Sequence, residues 1–86
     1  MQYVLSKRFE KNFAKLPKKL KTKAIDQLAL FVVDPMDARL NNHALSGKWS
    51  DYRSINITGD IRAIYTPLEE GIARFVDIGS HAQLYS

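Results

Sequence analysis

The spacing of hydrophobic residues changes once along the chain, and this change constrains the fold more than any other feature. Before residue 34, apolar residues recur at helical spacing in two stripes separated by Pro17: Phe9, Phe13 and Leu16, then Leu20, Ala24, Leu28, Phe31 and Val32. After Trp49, three segments are rich in β-branched and aromatic residues, at 52–57, 61–66 and 72–78. With a short strand candidate at 3–5, the order β-α-α-β-β-β predicts an α+β fold in which an antiparallel meander packs against a helical hairpin.

The predicted elements are bounded by residues that start or stop helices. Ser6 suits the N-cap of the first helix, and Pro17 can open the second helix at its first position. Asp34 precedes Pro35 and therefore ends that helix, because the residue before proline disfavours the α conformation. Residues 34–50 have little periodicity and predict a loop, and a loop of this length is often functional.

Length and composition fit a single domain that spans residues 1–86. Hydrophobic residues make up 45% and charged residues 26%, as in folded rather than disordered chains. The absence of Cys excludes a disulfide framework and a thiolate metal site. No apolar run reaches the roughly 18 residues of a membrane span. We therefore expect a cytoplasmic protein without a membrane partner.

Positive charge is concentrated in the first quarter of the chain. Residues 1–23 hold eight of the 13 Lys and Arg residues and a single acidic residue, Glu10, although the whole chain carries a net charge of only +4. Lys11 and Lys15 lie among them. Such a segment attracts nucleic acid, but lysines between apolar positions also form ordinary solvated helix faces. Both interpretations stay open.

The candidate catalytic residues are the two histidines and one aspartate. His43 lies in the predicted loop, His81 follows the last predicted strand, and Asp60 lies in a predicted turn. RNA supplies its own nucleophile, the 2′-hydroxyl, so an RNase needs a base, an acid and positive charge near the phosphate. Arg53 and Arg62 could supply that charge. The same residues also fit surface histidines, a turn aspartate and surface ion pairs.

Strand parity bears on whether the two arginines can act together. A hairpin loop with an even number of residues places Arg53 and Arg62 on the same face of the sheet, whereas a three-residue loop separates them. The sequence does not choose between these registers. Trp49 and Tyr52 are expected to close the edge of the core, and Tyr85 could stack on a nucleobase. No P-loop, glycine-rich fingerprint or metal-ligand cluster is present, so we predict no cofactor and no metal.

Three segments resemble the RelE/ParE toxin superfamily, and YafQ-like mRNA interferases in particular. Residues 45–53, with the pattern Leu-x-Gly-x-Trp-x-x-Tyr-Arg, resemble the segment before the second strand of YafQ-like toxins. Residues 61–65 resemble the third strand of the superfamily. Residues 79–85 resemble the YafQ ending Gly-Thr/Ser-His-x-x-Leu-aromatic. The resemblance implies a RelE-like fold over nearly the whole chain.

The resemblance also implies a function. YafQ-like toxins of type II toxin–antitoxin systems are ribosome-dependent endoribonucleases that cut mRNA and are held inactive by a cognate antitoxin. For this chain we therefore expect metal-independent cleavage of mRNA and a hetero-oligomer with an antitoxin. His81 matches the C-terminal catalytic histidine of the family, and Tyr85 matches its terminal aromatic residue. His43 matches the histidine of the loop before the second strand, and Asp60 matches the acidic residue of the hairpin turn, so we expect both to share the catalytic work with His81. The expected RNA-binding residues are Arg53, Arg62, Asn56, Tyr85, Lys11 and Lys15.

Several positions depart from the family pattern. Asn56 replaces a histidine, Ile61 replaces an aromatic residue, and Asp77 stands where an arginine is expected. The arginine at position 62 makes this part of the chain resemble RelE itself more than YafQ. Since Asn56 cannot exchange a proton, more of the acid–base work falls on His43 and His81 with Asp60. The alternatives are a ParE-like gyrase-inhibiting toxin without nuclease activity, or a catalytically weakened orphan relative that binds RNA.

Overall fold

The computed structural model describes residues 1–85, which form one sheet and three helices. The strands are β1 (Gln2–Leu5), β2 (His43–Ala44), β3 (Arg53–Asn56), β4 (Ile61–Glu69) and β5 (Ile72–Ser80), and the helices are α1 (Lys7–Ala14), α2 (Lys18–Val33) and α3 (His81–Tyr85). The predicted order β-α-α-β-β-β is confirmed for the main elements. The sequence pattern missed two short elements: β2, inside the predicted loop, and α3, directly after β5.

The sheet has the strand order β1-β5-β4-β3-β2. The antiparallel meander is confirmed, because β3 pairs with β4 and β4 pairs with β5. β1 runs parallel to β5 and forms one edge of the sheet, so β5 lies in its interior. The two-residue strand β2 pairs with β3 and forms the opposite edge.

The helix ends follow the predicted signals with one shift. Ser6 caps α1, since its side chain accepts a hydrogen bond from the Phe9 N–H at 3.0 Å. Pro17 is the N-cap of α2 and not its first helical residue, so the helix begins at Lys18, one residue later than predicted. Asp34 ends α2 in an extended conformation immediately before Pro35. No helix within residues 1–85 has both the length and the apolar composition needed to cross a membrane.

The helical hairpin packs on one face of the sheet around Phe75. The Phe75 ring lies 5.9 Å from the ring of Phe9, 5.1 Å from that of Phe31 and 5.1 Å from that of Tyr65. These aromatic contacts join α1, α2, β4 and β5 into one core. Val32, predicted to belong to the buried stripe of α2, is instead exposed.

Asp77 ties α1 to the sheet. Its carboxylate accepts a hydrogen bond from Asn12 Nδ2 at 2.7 Å and lies 3.1 Å from Arg8 Nε. The carboxylate is buried, whereas the Arg8 side chain is largely exposed. A buried carboxylate needs such partners. The position where the family resemblance predicts an arginine therefore anchors a helix in this chain.

Candidate functional site

Strand register determines which of the predicted site residues share a face of the sheet. Residues that pair directly across neighbouring strands point to the same side. Asn56 pairs with Arg62, and His43 pairs with Ser54, two positions before Asn56. Ile55, between Ser54 and Asn56, belongs to the core under the helices. His43, Asn56 and Arg62 therefore point to the face that the helical hairpin does not cover.

Arg53 points to the opposite face. It pairs with Tyr65, which belongs to the core on the helix side. The Ile57 N–H donates to the Ile61 carbonyl at 2.8 Å, so the hairpin loop consists of residues 58–60. This is the three-residue loop that separates the two arginines. Of the two registers that the sequence left open, the one that would bring the guanidinium groups of Arg53 and Arg62 to the same phosphodiester is therefore not found.

Arg53 instead takes part in a hydrogen-bond network that anchors the loop before β2. Its Nε donates to Asn42 Oδ1 at 2.8 Å. Asn42 Nδ2 donates to Tyr65 Oη at 2.7 Å and to the Pro35 carbonyl at 2.8 Å. One amide thus connects both ends of the loop to the sheet, and the loop is held in the position from which His43 emerges.

A cavity of about 230 Å³ lies on the face that carries Arg62. It brings together groups from the loop, from β4 and from the C-terminal helix, which are far apart in the sequence. The residues that line it are His43, Leu45, Ser46, Trp49, Arg62, His81 and Tyr85. Both histidines of the chain and one of the two predicted arginines therefore meet at one cavity.

The hydrogen bond of His43 determines which ring nitrogen is free. His43 Nδ1 lies 2.9 Å from the Asn41 carbonyl oxygen, which can only accept. The neutral ring therefore carries its proton on Nδ1 and leaves the Nε2 lone pair available. Asn41 supports this geometry with a left-handed backbone conformation, φ 46° and ψ 48°, which asparagine tolerates.

His81 is the first residue of α3 and is exposed at the cavity. Its N–H donates to the Asp60 carbonyl at 3.2 Å, and its ring centroid lies 4.6 Å from that of Tyr85. Asp60 is exposed in the hairpin turn, and the cavity-lining residues do not include it. The structure thus brings the Asp60 backbone to His81, while its carboxylate stays outside the cavity. Within residues 1–85, no group of three or more His, Asp or Glu side chains could hold a metal ion.

Several buried polar atoms near the cavity have no hydrogen-bond partner within residues 1–85. They are Trp49 Nε1, Ser54 Oγ, Asn56 Oδ1, Arg62 Nε and Tyr85 Oη. Such atoms are uncommon in folded proteins. Here three belong to cavity-lining residues, and Ser54 and Asn56 lie on the same face of β3. These atoms are therefore concentrated on the face of the sheet that the helical hairpin does not cover.

Trp49 is a cavity residue that sequence reasoning placed at the core edge. Its ring makes edge-to-face contacts with Tyr52 at 5.3 Å and with Tyr85 at 6.5 Å. Tyr52 does not line the cavity, so the expectation of a packing role fits Tyr52 better. The sequence signal that could have placed Trp49 at the cavity is the Leu-x-Gly-x-Trp-x-x-Tyr-Arg motif, in which Trp49 follows Leu45, another residue that lines the cavity.

Lys11 and Lys15 lie on α1, which packs against β5 on the helix side of the sheet. Both side chains are exposed. Lys15 lines a different cavity, of about 460 Å³, together with Arg8 and Leu16. These lysines are therefore separated by the sheet from the cavity that holds His43 and Arg62.

The loop before β2 also contains an exposed ion pair. Arg39 donates to Asp37 from its backbone N–H, Nε and Nη2 at 2.9, 3.0 and 2.9 Å. These hydrogen bonds, above all those from the side chain, lower the pKa of Asp37 to about 2. The pair fixes a short helical turn at Ala38–Leu40 and lies outside the cavity.

Comparisons with known proteins identify the family and the fold. The sequence matches, over residues 1–86, the family model described as bacterial toxin of type II toxin-antitoxin system, YafQ. YafQ from E. coli strain BL21(DE3) superposes with a TM-score of 0.80 at 27% identity, over 99% of this chain and 98% of that chain. YafQ in the E. coli DinJ-YafQ toxin-antitoxin complex gives 0.76 at 27% identity, over 99% and 97%.

A YoeB/ParE toxin from Agrobacterium tumefaciens gives a TM-score of 0.78 at 18% identity, over 94% of this chain and 99% of that chain, and shows the fold alone. None of the curated proteins matches the sequence significantly. The predicted RelE-like fold is confirmed by these structures. The chain belongs to the YafQ family of bacterial toxins of type II toxin–antitoxin systems.

Proposed function

We propose that this toxin is an endoribonuclease that cuts mRNA on the ribosome by metal-independent acid–base catalysis. One observation carries the proposal: His43, His81 and Arg62 line a single cavity on the face of the sheet that the helical hairpin does not cover. Two proton-transfer groups and one fixed positive charge are what cleavage by the 2′-hydroxyl of RNA requires.

The geometry supports a division of roles. His43 has its Nε2 lone pair free, so we assign it as the base that takes the proton from the 2′-hydroxyl. The 2′-oxygen then forms a bond to phosphorus, the bond from phosphorus to the 5′-oxygen breaks, and the products are a 2′,3′-cyclic phosphate and a 5′-hydroxyl. His81, on α3, serves as the acid that protonates the leaving 5′-oxygen.

Arg62 supplies the charge for the phosphorane-like transition state. Its Nε is buried without a partner in residues 1–85, and its Nη2 donates to the Gly59 carbonyl at 3.3 Å. Asn56, the cross-strand neighbour of Arg62, can bind the substrate but cannot exchange a proton. Asp60 supports His81 through its backbone carbonyl, and the Tyr85 ring contacts the His81 ring at a tilted angle.

The lysines of α1 would bind the ribosome rather than the scissile phosphate. They lie across the sheet from the cavity, and a phosphate contact by Lys11 or Lys15 would therefore fall on a separate part of a large RNA. Such contacts depend steeply on salt. A ribosomal substrate places the active toxin in the cytoplasm.

The proposed partner is a cognate antitoxin that silences the toxin in a hetero-oligomer. A solved E. coli complex contains DinJ and YafQ as antitoxin and toxin. The present chain shares its family and its fold with that toxin. An antitoxin segment that covered Arg62 and the two histidines would block the proposed chemistry directly.

The test is cleavage of mRNA on programmed ribosomes. We expect His81→Ala to lower the single-turnover rate by about 10²-fold, the usual effect of an acid–base residue. Arg62→Gln should also impair cleavage. The matched control is Arg74→Gln, because Arg74 is exposed on β5 and lies outside the cavity.

An intact message with the parent protein would refute the nuclease assignment. If growth arrest then occurs with inhibited gyrase, the ParE-like alternative holds. The Asn56 departure favours the orphan alternative, which predicts binding of RNA without cleavage.

A further inference from the structure

The helix that carries His81 is too short to be stable by itself. α3 has five residues, whereas isolated helices shorter than about 12 residues are marginal in water. Its position must therefore be fixed by contacts with the rest of the molecule. Leu84 is buried, and the His81 N–H donates to the Asp60 carbonyl at 3.2 Å.

Two further hydrogen bonds join the start of α3 to its third residue. Ser80 Oγ accepts a hydrogen bond from the Gln83 N–H at 3.1 Å. Gln83 Oε1 accepts one from the Ser80 N–H at 2.8 Å. This reciprocal exchange is a capping box, which satisfies two backbone donors at once. His81 lies inside the box, one residue after Ser80.

Gly79 provides the space for the Gln83 side chain. A Cβ placed on Gly79 would lie 2.9 Å from Gln83 Oε1, and the next nearest atoms, at 3.6 and 3.8 Å, also belong to Gln83. The backbone of Gly79 is not in the left-handed region that favours glycine. A methyl group at position 79 would therefore meet the Gln83 side chain first, and its closest contact would be with the carboxamide oxygen of the capping box.

We infer that Ser80 and Gln83 position His81 for proton transfer, and that a side chain at position 79 would displace the Gln83 carboxamide from its hydrogen bond. The inference rests on the proposed function, in which His81 is the acid. Gln83 does not line the catalytic cavity, so it is a positioning residue. The family ending Gly-Thr/Ser-His-x-x-Leu-aromatic specifies no residue at position 83.

The test compares Gly79→Ala, Gln83→Ala and the double variant. Each single variant breaks the same hydrogen bond by a different route. We expect each to lower single-turnover cleavage about fivefold, the effect of losing one hydrogen bond of typical strength. The double variant should also lose about fivefold, rather than the roughly 25-fold that independent effects would give. Ribosome affinity should be unchanged.

A second readout follows the helix in the free protein. Amide hydrogen exchange in residues 81–85 should accelerate in all three variants, with the same global unfolding midpoint as the parent. The control is Ala82→Gln, which puts an identical carboxamide on an exposed neighbouring position where the capping box cannot form. This control should behave like the parent in both readouts.

Each alternative result has a defined meaning. Multiplicative losses in the double variant would overturn the link between Gly79 and Gln83. Faster exchange with unimpaired cleavage, or unchanged exchange, would overturn the positioning role alone. A parent protein that leaves mRNA intact would refute the proposed function itself, and the positioning role with it.

Discussion

Replacing Asn42 with alanine should destabilise the toxin without removing any group that touches the substrate. Asn42 accepts a hydrogen bond from Arg53 and donates to Tyr65 and to the Pro35 carbonyl. The alanine variant loses all three. Tyr65 is buried, and Arg53 is half-buried, so water replaces these partners only in part.

The magnitude follows from these contacts. A hydrogen bond contributes about 0.5–1.5 kcal/mol net, so three would contribute about 1.5–4.5 kcal/mol. Partial access to water favours the lower part of that range, about 2 kcal/mol. For a domain of this size, about 2 kcal/mol corresponds to a fall in the melting temperature of about 8–16 °C.

The assay is thermal unfolding followed by circular dichroism, with Ser50→Ala as the control. Ser50 is exposed in the segment between β2 and β3, and the hydrogen bonds of Asn42 do not involve it. The control should melt with the parent. A melting temperature of the Asn42→Ala protein within about 2 °C of the parent would show that this network does not anchor the loop.

Two further predictions concern charge. The lysines to replace with glutamine lie on α1 and α2 and are Lys11, Lys15, Lys18 and Lys19. The replacement should weaken ribosome association and flatten its dependence on salt. An unchanged salt slope would mean that these lysines form only a solvated face. The lowered pKa of Asp37 means that its ion pair contributes stability above the ordinary value of 3.8 and loses it as the pH falls towards about 2. The small difference in the free energy of unfolding between the parent and Asp37→Asn should therefore disappear as the pH falls from 3.8 to about 2. A difference that persists at pH 2 would show that the Asp37–Arg39 ion pair is not its source.

The main elements could be predicted because their signals are local. Helical spacing, the Ser6 cap and the Asp34-Pro35 break define the hairpin of helices, and β-branched segments define the meander. β2 has only two residues, so no periodicity could reveal it. α3 has five residues, too few to show a helical period, and the only sequence signal for its start is the capping-box pattern of Ser80 and Gln83.

The candidate site could be predicted only in part, because it depends on register. His43 and His81 were identified from residue chemistry and from the family resemblance, and the fold brings them together. The separation of Arg53 from Arg62 rests on a three-residue loop, which sequence parity left open. The place of Trp49 at the cavity could not be predicted, because an aromatic residue next to a strand gives the same pattern whether it lines a core or a cavity.

The central claim is that both histidines act on one phosphodiester, and the pH dependence of single-turnover cleavage tests it most directly. The parent should show a bell-shaped profile, since a base must lose its proton and an acid must keep it. His43→Ala should abolish the rise on the acidic side, and His81→Ala the fall on the alkaline side, each with a lower maximal rate. Profiles of unchanged shape in both variants would contradict the account.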